Sequence, residues 1–141
     1  MSRPPRAPGG GAPPDLTTLP DGSPLELVPL AQEIARRHRL EFPDEAERYG
    51  DRGLQWCVYD NQWLLSWAVM AAGGWSDFGN QLMWLAGVLE SRGYPVQRLA
   101  RDLEIAAEVT SDALLPGPDP VREVLLSGAE AVRARGQDRS G

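Results

Sequence analysis

The sequence predicts an all-α fold, an antiparallel bundle of four to five helices behind a disordered N-terminal tail. Three observations carry this expectation. Apolar residues between positions 25 and 135 recur at helical spacing, with almost no alternating strand pattern. Glycines and prolines fall at intervals that suit helix ends. Residues 1–24 hold 7 of the 13 prolines and 4 of the 15 glycines, too little apolar surface to offset the entropy of ordering. The expected organisation is a disordered Pro/Gly-rich tail over 1–24, a helical bundle domain over 25–135 and a frayed end over 136–141.

The first helix is expected over about residues 24–38. Leu27, Leu30, Ala31, Ile34 and Ala35 form its apolar face, and Arg36, Arg37, His38 and Arg39 suit the negative end of the helix dipole. The second starts after Pro43 with Asp44, Glu45 and Glu47 in an acidic first turn, and Gly73-Gly74 stops it after Ala72. Gly50 and Gly53 weaken its first half, which invites a break there. From Leu54 to Met70 it is apolar around most of its circumference, the mark of a buried helix.

The third helix is capped by Ser76 or Asp77 and runs to Arg92, with Phe78, Leu82, Leu85, Val88 and Leu89 inward and Gly93 as its stop. A fourth begins near Pro95, where a first-turn proline costs nothing, and buries Val96, Leu99, Leu103, Ala106 and Ala107. Leu114-Leu115-Pro116-Gly117-Pro118 reads as a loop. Asp119-Pro120 then caps a fifth helix whose apolar face is Val121, Val124, Leu125, Ala129 and Val132. Short connections make the second, third and fourth helices antiparallel neighbours.

Composition narrows the function classes. A chain of 141 residues fits one domain. Net charge is −6, and all 14 basic residues are arginine, a bias that reads as high-GC ancestry. An acidic chain without a basic face is unsuited to nucleic acid. The single cysteine, Cys57, excludes an internal disulfide and a multi-cysteine metal site, and fits a reducing compartment. No apolar stretch follows Arg3 and Arg6 to make a secretory signal, and the apolar run at 63–75 is shorter than the ~20 residues that span a bilayer. A soluble cytoplasmic protein, neither membrane-bound nor nucleic-acid-bound, is the expectation.

Trp63-Leu64-Leu65-Ser66-Trp67-Ala68 is followed by Phe78, Leu82, Trp84 and Leu89-Glu90-Ser91-Arg92-Gly93, and then by Tyr94-Pro95-Val96, Leu99 and Leu103. Over about residues 44–110 this order resembles the four-helix cap domain that precedes the cobalamin-binding α/β domain in bacterial sensors and light-responsive regulators. The resemblance implies a helical sensory module. In that family a downstream domain supplies the cobalt-ligating His, and the cap carries a Trp with Glu-His ten and eleven positions later. Here Trp67 is followed by Asp77-Phe78 at those positions. The implication is a stand-alone helical relative with no cofactor, cobalamin included.

One constellation calls for explanation. In "WCVYDNQWLLSW" (residues 56–67), Trp56, Asp60, Trp63 and Trp67 share one helical stripe. With Trp84 of the next helix they are the candidate ligand- or partner-binding residues. Asp60 has three explanations: a core carboxylate paired with an arginine such as Arg98 or Arg101, or with indole N–H donors; a pocket residue orienting a small cationic or polar ligand among aromatic walls; or part of an exposed aromatic patch that docks a partner protein.

The remaining reactive side chains read as structural. His38 has no metal-ligand companion, since Glu41 alone makes no site, and is expected as a surface histidine at a basic helix end. Cys57 has no Cys, His or Lys nearby in sequence to activate it and reads as a buried inert thiol. Asp44, Glu45 and Glu47 are explained by the helix dipole. Asn80 and Gln81 stand as caps or as members of a polar network. Gly9-Gly10-Gly11 precedes no strand–helix unit and so is linker. These features predict a non-catalytic binding or regulatory module acting through the aromatic-rich central helix. The rivals are a small-molecule-binding protein, its ligand cobalamin-related or otherwise, an enzyme using Asp60 as acid/base with help from Tyr59 or Tyr94, and a structural or dimerising protein that presents its fifth helix to a partner.

Overall fold

A computed structural model describes residues 12–74, 76–114 and 119–140. Residues 1–11 of the expected tail, Trp75 at the end of the apolar run, residues 115–118 of the loop and Gly141 lie outside the described residues. The element order is β1 (Leu16–Thr18), β2 (Pro24–Glu26), α1 (Leu27–Glu41), α2 (Asp44–Ala72), α3 (Phe78–Ser91), α4 (Val96–Ala113) and α5 (Pro120–Ser140). It is the all-α bundle that the periodicity predicts, with one addition at the N-terminal side.

That addition is the small antiparallel hairpin β1–β2, which pairs Leu16 with Glu26 and Thr18 with Pro24 inside the stretch expected to be disordered. Pro20-Asp21-Gly22 makes its turn: Asp21 Oδ1 accepts from the Ser23 amide at 2.9 Å and hydroxyl at 2.6 Å, and Gly22 supplies a φ of 92°. The Gln62 amide in α2 donates to the Pro14 carbonyl at 3.0 Å and ties the segment down. The ordered domain therefore starts earlier than residue 25.

The helices follow their sequence signals. α1 begins three residues later than expected because β2 occupies 24–26, and it buries Leu27, Ala31, Ile34, Ala35 and His38 on one face. α2 is one long element with a break at Gly50, whose φ of 62° and ψ of −158° suit glycine almost alone. Asp77 caps α3 by accepting from the Asn80 amide at 3.1 Å. Asn80 completes this cap through its own side chain, at 2.9 Å from Asp77 Oδ2. Asp119 caps α5 in the same way, at 2.9 Å from the Arg122 amide. α5 runs to Ser140 through the end expected to fray, and Gly136 is buried against α4.

The closed core lies where α4 and α5 pack on each other and on α2 and α3. Leu64, Leu65, Leu82, Leu103, Ile105, Leu125 and Val132 are its large buried side chains. Val121, Leu125, Ala129 and Val132 spend the apolar face of α5 within the chain. No helix among the described residues is long and apolar enough to cross a membrane.

Candidate functional site

A cavity of about 410 Å³ opens between α1, the first two-thirds of α2, the end of α3 and the start of α4. The Gly50 break builds it. Glu45 and Tyr49 before the break, and Trp56, Cys57, Asp60 and Asn61 after it, all line the same space. The Gly50 carbonyl, outside regular helix geometry, accepts from Arg39 Nη2 at 2.9 Å.

One wall is a satisfied ion network. Glu45 Oε2 accepts from Arg98 Nη1 at 2.9 Å and from the Tyr94 hydroxyl at 2.8 Å. Arg98 also reaches Asp44 at 3.1 Å and stacks over the Phe42 ring at 4.4 Å. His38 sits behind this network with 2% exposure. Its Nε2 is 3.1 Å from the Arg98 carbonyl, and because a carbonyl only accepts, that nitrogen carries the proton. Nδ1 faces Glu45 Oε1 at 3.7 Å. Burial and the bond to Glu45 push the Tyr94 hydroxyl well above its usual range and keep it a donor.

The facing wall is not satisfied. Asn61, 1% exposed, donates its amide to Asp102 Oδ1 at 3.0 Å and to the Cys57 carbonyl at 2.9 Å. This leaves Asn61 Oδ1 and Asp102 Oδ2, both buried, with no hydrogen-bond partner among the described residues. Asp60 makes no hydrogen bond or ion pair among the described residues. Arg98 is engaged by Glu45, and Arg101 by Glu41 at 2.7 Å and Glu104 at 3.4 Å, so neither neutralises it.

Burial, reinforced by the charge of Asp102 and only partly countered by Arg92, pushes the Asp60 carboxyl up to about 7. Burial also raises Asp102, against the pull of His38 and the Asn61 hydrogen bond. Cys57 is raised well above its usual range by burial and then by Asp102, Asp60 and Glu45, which keeps the thiol protonated.

The candidate stripe divides in two. Trp56 and Asp60 line the cavity, where the exposed Arg92 lies over the Trp56 ring at 5.0 Å. Trp63 and Trp67 pack against each other at 5.8 Å and belong, with Trp84, to the core and its margin. Two expectations are overturned. His38 is a buried residue behind the cavity, not a surface histidine, because it follows Leu27, Ala31 and Ile34 on the inward face of α1. Glu45 is buried and bonded to α4 and to Tyr94, not merely an acid placed by the helix dipole. Asp102, Asn61 and Arg98 complete the site. Asp102 carried a signal, since it falls three residues after Leu99 and four before Ala106 on the buried face of α4. No group of three or more His, Cys, Asp or Glu residues among those described could hold a metal ion. No known protein family, curated protein or solved structure matches the chain.

Proposed function

We propose that the chain is a non-catalytic binding module that takes a small molecule into the cavity between α1, α2 and α4 and serves a regulatory role through its occupancy. The observation that carries this reading is a space of about 410 Å³, part aromatic and part polar, lined by Asn61 and Asp102, each of which keeps a buried oxygen with no partner among the described residues. Buried polar atoms are nearly always bonded, and leaving one unmade costs about 1–3 kcal/mol. Small-molecule sites have this construction: apolar walls with a few placed polar groups. The protonated Cys57 thiol and the bonded Glu45 argue against a nucleophile or a free base on those residues.

A fragment screen by two-dimensional NMR, with a library of mixed charge, tests the reading. Hits should shift the Trp56 indole and the amides around Asp60 and Asp102. A screen whose hits all fall elsewhere, or that has none, would refute it. A rival reading, an acid–base enzyme, draws on the Asp60 carboxyl held near 7 beside a second carboxyl. It would be favoured by a hit that is chemically transformed by the native chain and not by Asp60→Asn.

A further inference from the structure

Taking the cavity as a ligand site, we propose that its ligand is a small organic cation, a primary ammonium on an aromatic or alkyl body, gripped by Asp60, Asp102 and Asn61 and released on acidification. Asn61 commits its amide hydrogens to Cys57 and Asp102, so its oxygen is free only to accept. Asp102 has Oδ1 engaged and Oδ2 without a partner among the described residues. Asp60 contributes a carboxyl with no bond among the described residues. These three side chains line one space, and an ammonium brings three donors and a charge to match their acceptor oxygens.

On the opposite wall, the Tyr94 hydroxyl and Arg98 Nη1 are given to Glu45, and His38 Nε2 to the Arg98 carbonyl. Arg98 is paired with Glu45 and Asp44; Arg92, the other cation lining the space, is exposed, stacks on Trp56, and would bring an anionic ligand against Asp60 and Asp102. Trp56, Tyr49 and Tyr94 give the space aromatic walls, which suit a cation, and Leu64, Leu89 and Leu99 an apolar seat for its body.

Binding is then linked to protons. The groups facing the site are His38 from α1, Glu45, Tyr49, Cys57 and Asp60 from α2, Arg92 at the end of α3, Tyr94 from the following turn, and Arg98 and Asp102 from α4. Glu45 and Arg98 are mutually paired, and Cys57 and Tyr94 stay neutral. Asp60 and Asp102 are the carboxyls that an incoming cation would ionise. Acid protonates them and removes the attraction.

The test is titration of the full chain with 2-phenylethylammonium, 2-phenylethanol and phenylacetate, followed by NMR shifts and calorimetry at pH 8 and 5.5. The ammonium should bind at the Trp56–Asp60–Asp102 wall at least tenfold more tightly than its neutral and anionic counterparts. It should weaken at least tenfold at pH 5.5, and lose tenfold or more in Asp102→Asn and in Asp60→Asn. Thermal unfolding of both variants checks that the fold persists, and the native pH dependence stands if either fails to fold. Equal binding of the three probes, a preference for phenylacetate, or pH-independent binding overturns the cation class while leaving a ligand site in place. Binding of none of them overturns the cation class, and an empty fragment screen as well would remove the site itself.

Discussion

α2 crosses two regions of opposite construction. From Leu64 to Val69 it is sunk in a core where Leu64, Leu65 and Ala68 have no exposure and the neighbouring surfaces are leucine, valine and alanine. From Glu45 to Asn61 the same helix is broken at Gly50 and turns charged and amide side chains toward a cavity. The first region gains stability by removing apolar surface from water, at about 25 cal/mol per Å². The second holds a carboxyl with no partner among the described residues and two orphaned oxygens, each of which makes the folded state less favourable. A chain that can close its core completely at one end of a helix has no packing reason to leave the other end open. On the proposed reading, the open end is the working part.

The largest blow should come from the closed region. Leu125→Ala removes a side chain with no exposure at the α4–α5 packing, and urea unfolding should show a loss of about 3–5 kcal/mol. A loss near that expected for a surface site would mean that α5 is not the keystone its burial implies. In the open region the most damaging single change should be Arg98→Ala. It strips the buried Glu45 of its charged partner and Phe42 of its stacked guanidinium, for a cost of about 2–3 kcal/mol. Paired with Glu45→Gln, the double variant should recover part of that loss; strict additivity would show that the pair is not coupled. Gly50→Ala has no steric neighbour within 4 Å yet must adopt the φ of +62°, and backbone strain of this kind costs about 1–3 kcal/mol. If it costs nothing, the break in α2 is relaxed and does not shape the cavity.

The same contrast explains what could be read from the sequence. The closed core was legible because its rule is local: Leu99, Leu103, Ala106 and Ala107 repeat at helical spacing, and Asp77 and Asp119 stand where caps are needed. The break at Gly50 was legible for the same reason. The hairpin was obscured because proline and glycine content outweighed the Pro20-Asp21-Gly22 turn and its flanking Leu16 and Leu25. Asp60 stood out as a charge inside an apolar helix, but its partners did not. Asp102 is bracketed by Arg101 and Leu103 in an ordinary amphipathic pattern, and His38 is embedded among arginines. What joins them is the packing of α1 and α4 against α2, a contact between residues some 40 to 60 positions apart that no local spacing encodes.

The smallest expected effect separates the two regions most cleanly, because it should have the opposite sign. Asp60 keeps partial exposure, so the full value of its displacement does not apply, but the direction is fixed. Its carboxyl sits at about 7 in the folded chain against 3.8 ordinarily. A raised carboxyl favours the folded state only while it is protonated. That contribution is complete below about pH 4 and is lost as pH climbs through 7. Asp60→Asn keeps the shape and removes the charge. The variant should match the native chain in urea at pH 4, then exceed it progressively, reaching about 1–2 kcal/mol of added stability at pH 8. No core substitution should show this crossing, since a leucine carries no proton. Equal stability of the two chains across the range would mean that solvent or an arginine already neutralises Asp60. A variant less stable at pH 8 would mean that the ionised carboxylate has a bonded partner in the fold. Either outcome would turn the open region back into an ordinary surface.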